Sequence, residues 1–178
     1  MGRMHNGEWL TRGTVWVALS LYVGGEIVKA GRGGGARRGA ARWLNNFGCT
    51  AFLAHVTCAF HFYHGWSHSA AYAETARQTA ELVGKNWGGG LYLNYLFALV
   101  WVAEVIGSWI SPKGHIQRPD WLLWTMRAFF FFMIFNGTVL FPSGMVRWFG
   151  FVLCLVLAVC WWPHRSRIAG SPDPSKSA

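Results

Sequence analysis

Five long apolar runs constrain this chain more than any other feature. They cover roughly 13–29, 43–63, 91–110, 121–141 and 145–162. Each has about the 17–25 residues needed to cross a hydrocarbon core about 30 Å thick. Inside lipid every backbone N–H and C=O must find a partner within its own segment, so such runs are read as helices. The sequence therefore predicts an all-α membrane protein: a bundle of five transmembrane helices with one extra amphipathic helix on the outer surface. Composition agrees, since 53% of residues are hydrophobic and only 13% are charged, against about a quarter in ordinary globules. Residues 1–162 read as one transmembrane domain, and residues 163–178 as a basic, disordered cytoplasmic tail rich in Ser, Pro and Lys.

The charges set an orientation. With the N-terminus outside, the inner side receives Lys29, Arg32, Arg37, Arg38, Arg42, Lys113, Arg118, Arg165, Arg167 and Lys176, and the outer side Arg3, Arg12, Arg77, Lys85 and Arg147. That bias satisfies the positive-inside rule and predicts a plasma (inner) membrane protein, N-terminus outside and C-terminus cytoplasmic. Tryptophans mark both rims: Trp43, Trp109, Trp121, Trp161 and Trp162 on one, Trp9, Trp66, Trp87 and Trp148 on the other. The basic residues that follow the first run, with no small-residue cleavage site at its end, favour a retained helix over a cleaved signal peptide.

A net charge of +9 would ordinarily raise the question of nucleic acid. Here the basic residues lie between apolar runs, so the expected partners are the bilayer and, at the glycine-rich loop 30–42, anionic lipid headgroups; no nucleic-acid partner is expected. That loop nominally contains G-x-G-x-x-A from Gly31 to Ala36, but an apolar helix precedes it where a dinucleotide fold needs a strand. A flexible linker is the expectation. Cys49, Cys58, Cys154 and Cys160 all fall in apolar runs without a CxxC pair and read as buried thiols.

Two constellations carry whatever chemistry the sequence offers. His61, His64 and His68 are spaced i, i+3 and i+7, which on one continuous helix puts them on a single face together with Tyr72. Such a face is a candidate site for a transition metal, with Tyr72, Glu74 or Asn94 as further donors. The bland alternative is that half-polar rings simply populate a membrane interface. A bis-histidine haem needs ligands on two facing helices. Only the second run carries histidines within its span, so haem would require a homo-oligomer or a partner membrane subunit. The other constellation is a buried ion pair between Glu104 and Arg127, each six residues from the inner end of its run, or about 9 Å deep, with Glu26 closing from the first helix.

Between the second and third runs, residues 69–84 are alanine-rich, begin near serines and stop at Gly84, the pattern of a capped helix too polar to span. Asn94, Trp101, Glu104 and Ser108 recur at helical spacing and should face the bundle. No nucleophile–base pair, phosphate loop or complete metal set is visible. The function expected from the sequence is that of a non-enzymatic membrane subunit or scaffold. The competing reading is a metal- or haem-binding redox protein built on the three histidines.

Overall fold

The computed structural model describes residues 2–31, 35–112, 114, 117–141 and 144–162. These form six helices and, among the described residues, no strand. They are α1 (Gly2–Ala30), α2 (Gly35–Ala59), α3 (His68–Val83), α4 (Gly90–Ile110), α5 (Asp120–Phe135) and α6 (Met145–Trp161). A single π-helical turn extends α2 over Phe60–His64, and another extends α5 over Asn136–Leu140. The expected tail at 163–178 lies outside the described residues.

Two helices, Gly90–Ile110 and Asp120–Leu140, are long and apolar enough to cross a membrane, and α6 is a shorter apolar helix. The other two expected spans fall within α1 and α2, which do not meet that measure. α1 carries Arg12, Glu26 and Lys29, and α2 carries Arg37, Arg38, Arg42, Asn45 and Asn46. The start of α2 also corrects the expectation of a flexible 30–42 linker. From Gly35 onward that stretch is helical. Alanine and arginine are strong helix formers, and Ala36, Arg37, Arg38, Ala40, Ala41 and Arg42 outweigh the single Gly39.

The helices meet through small residues and aromatic rings. At Gly48 on α2 an added Cβ would lie 3.2 Å from the Ala18 carbonyl oxygen and 3.2 Å from the Trp101 ring. The missing side chain eases the close approach of α1, α2 and α4 here. Trp101, 1% exposed, is the centre of the core. Its ring packs against Tyr22, Phe52, Phe97 and Phe130, at centroid distances of 5.3–5.6 Å. Its indole N–H would be an orphan in such surroundings, but it donates to Asn45 Oδ1 at 3.0 Å. The expected polar stripe on α4 holds at Trp101 and Ser108, both buried.

α3 forms where the alanine-rich stretch 69–84 predicts a helix, and it is capped by Ser67, whose hydroxyl accepts from Ala70 N at 3.2 Å. It ends at Gly84, whose φ of 72° takes the left-handed conformation of a helix C-terminus. Only small side chains, Ala71 and Ala76, are buried along it. At the opposite extreme, α4 and α6 present Leu99, Ile110, Leu155 and Val159 to the outside, each 64% exposed or more.

Candidate functional site

The continuous helix assumed across 58–72 does not form, and the histidine face is corrected with it. α2 passes into its π turn at Phe60, and Gly65 and Trp66 then take left-handed φ values of 53° and 62° before Ser67 starts α3. His61 and His64 therefore end one helix while His68 begins another. His61 packs on Phe62 and Trp66, His64 on Phe60, and His68 Nδ1 lies 3.0 Å from the Tyr95 hydroxyl. Among the described residues no group of three or more His, Cys, Asp or Glu is placed to hold a metal ion. Nor does α4, which faces α2, offer a histidine for a bis-histidine haem.

The same break opens a cleft. Because the chain turns at Gly65 and Trp66, α3 runs beside the ends of α2 and α4 instead of prolonging α2. Between the three helices lies a cleft of about 910 Å³, at the upper end of the ~300–1,000 Å³ typical of small-molecule sites. Phe52, Val56, Phe60, Leu91 and Ala98 give it apolar walls, while His55, His64, Glu74 and Asn94 add polar groups.

His55, on α2 but not among the three candidate ligands, is anchored to α1. Its Nδ1 lies 2.8 Å from the Thr11 carbonyl oxygen on α1. A carbonyl only accepts, so Nδ1 carries the proton and, in the neutral ring, Nε2 is left with an acceptor lone pair. Asn94 also lines the cleft, and no described residue hydrogen-bonds its amide. On α3 the ionised groups are already engaged: Arg77 donates through Nε to Glu74 Oε2 at 2.9 Å and also pairs with Glu81, and Gln78 donates to Glu74 Oε1 at 2.8 Å. The Arg77 hydrogen bonds, against the opposing effect of partial burial, hold the Glu74 carboxyl down at about 2, so this network stays charged across the physiological range.

A second polar group lies at the other end of the bundle. Glu104 is met by Arg118, both largely buried, in place of the expected Arg127. Arg127 instead lies over the rings of Trp124 and Trp161, 5.3 and 5.6 Å from their centroids. Arg118 approaches from the segment before α5, and a guanidinium on a long stem reaches a carboxylate that helix-bound Arg127 leaves for aromatic faces. Glu26, 7% exposed, accepts from Lys29 Nζ at 2.6 Å and from Trp161 Nε1 at 2.8 Å, the same tryptophan whose ring lies under Arg127. Trp161 was read only as a rim marker, and nothing in its spacing announced the bond to a carboxylate 135 residues away. From this geometry Arg118→Gln is expected to destabilise by up to about 3 kcal/mol. Arg127→Gln should cost less, about 0.5–2 kcal/mol, the range of a cation–π contact. Thermal unfolding of the two variants side by side checks the order; an equal or reversed order contradicts the pairing.

Set against protein-family models, curated proteins and solved structures, the chain matches none.

Proposed function

We propose that the chain is a multi-pass integral membrane protein in which α1, α2, α4, α5 and α6 cross the bilayer and α3 lies on the outer face. We further propose that it serves as a non-enzymatic membrane subunit or scaffold. The observation that carries this reading is the outward surface of the apolar helices. Leu99 and Ile110 on α4, Phe132 on α5, and Val152, Leu155 and Val159 on α6 are all exposed. Large apolar side chains exposed along three apolar helices suit contact with lipid or with another protein. Support for five crossings comes from charge: Glu26 and Lys29 on α1 pair with one another, and Arg37, Arg38 and Arg42 gather near the start of α2, where anionic headgroups would meet them. The N-outside, C-inside orientation in the plasma membrane rests on the bias of basic residues.

A subunit role is favoured over catalysis because the carboxylates of Glu26, Glu74 and Glu104 are spent on Lys29, Arg77 and Arg118, and the indoles of Trp101 and Trp161 on Asn45 and Glu26. Alkaline carbonate extraction followed by native electrophoresis in a mild detergent tests both halves. The protein is expected to stay in the membrane pellet and to migrate in an assembly larger than one chain. Release by carbonate would contradict the membrane reading, and migration as a single chain would contradict the subunit reading.

A further inference from the structure

The cleft between α2, α3 and α4 combines features that ordinary helix packing does not require. Its walls are apolar, so an occupant must bring an apolar body. Its polar lining contains one acceptor fixed in place, His55 Nε2, because Nδ1 is committed to Thr11. It also contains an amide, Asn94, that can both donate and accept and to which no described residue hydrogen-bonds. Asn94 is exposed, one turn into α4, so its amide is open to an occupant of the cleft. The charged groups at the mouth are no help to a charged head, since Glu74 is already bonded by Arg77 and Gln78. Neutral imidazole and amide suit a head that donates one hydrogen bond, accepts another and carries no charge. A hydroxyl does all three.

We propose that this cleft is a binding site for a single-chain lipid with an uncharged hydroxyl head, the hydroxyl lying between His55 Nε2 and Asn94 and the chain against Phe52, Val56 and Leu91. The proposal rests on the membrane reading above. α3 flanks the site because Gly65 and Trp66 turn the chain back beside it. Close packing of α3 on the start of α4 fixes that wall. At Gly88 an added Cβ would stand 2.5 Å from the Tyr72 carbonyl oxygen, a backbone atom that cannot step aside cheaply.

The test uses the full chain in phosphatidylcholine nanodiscs and a monoacylglycerol bearing a diazirine on its acyl chain. Photolabelling should map to α2 around Phe52–Phe60 and to α4 around Leu91–Ala98. Unlabelled 1-monooleoylglycerol should compete. Methyl oleate, which cannot donate, and ionised oleate, which brings a charge, should compete poorly. Asn94→Leu, at an exposed position bonded to no described residue, should reduce labelling about threefold to tenfold without moving the unfolding temperature. His55→Phe should do the same, with the added loss of the Thr11 bond. Labelling spread evenly onto the outward face of α6, equal competition by methyl oleate, or no effect of Asn94→Leu would overturn the proposal while leaving the membrane reading intact. A chain that does not remain with the nanodisc would overturn that reading, and the proposal with it.

Discussion

Gly150→Ala is expected to force α5 and α6 apart and to lower the unfolding temperature and yield of the protein. A Cβ at this position would stand 2.6 Å from the carbonyl oxygen of Thr138 and 2.7 Å from its hydroxyl. Thr138 is buried, and its hydroxyl already donates to the Ile134 carbonyl at 2.7 Å, so neither atom has freedom to retreat. Forcing extra volume into a packed contact costs about 1–3 kcal/mol, and a backbone obstacle puts this site at the upper end. The loss is a large share of the ~5–15 kcal/mol that holds a typical domain together. Gly137→Ala, where nothing lies within 4 Å of the new carbon, is the control and should be tolerated. Yield and unfolding temperature of the two variants read the difference. Two equally stable proteins would mean that α5 and α6 do not cross at Thr138 and Gly150.

The second large effect is expected at Glu26. A carboxylate this deeply buried persists only with its oxygens satisfied, and here one accepts from Lys29 and the other from Trp161. Trp161→Phe keeps the aromatic bulk but removes the donor, leaving a buried charged oxygen short of a hydrogen bond at a cost of about 1.5–3 kcal/mol. Lys29→Met should cost a similar amount, moderated because the lysine is 45% exposed and water takes up part of its role. Adding Glu26→Leu to either variant should recover much of the loss, since the stranded charge then disappears. Strictly additive costs in the double variants would show that these three groups do not act on one another.

How far the fold could be read in advance differs from element to element. α4 and α5 were legible because long apolar runs admit few alternatives, and α3 because alanines followed by Gly84 form a local signal with a local cause. The start of α2 was misread, since the glycines at 31–35 drew attention from the helix-forming alanines and arginines after them. The turn at Gly65 and Trp66 was not legible either. Glycine was a hint, but a tryptophan in the left-handed region is a conformation no propensity favours, imposed by the packing of α3 on α4. That one turn dissolved the histidine face and created the cleft. The partners of Glu104 and Glu26 were hidden for a different reason. Arg127 lay level with Glu104 by sequence count while Arg118 fell in the inner loop, and only the three-dimensional reach of each side chain reveals that Arg118 makes the pair.

The central claim is that these helices cross a bilayer with α3 on its outer face, and labelling of single cysteines tests it most directly. In a background lacking Cys49, Cys58, Cys154 and Cys160, Ala80→Cys lies on α3 and Gly35→Cys at the start of α2. A membrane-impermeant maleimide is predicted to modify position 80 in intact cells and position 35 only after permeabilisation. Modification of position 35 in intact cells with position 80 protected would reverse the orientation, and equal modification of both from one side would contradict a crossing between them.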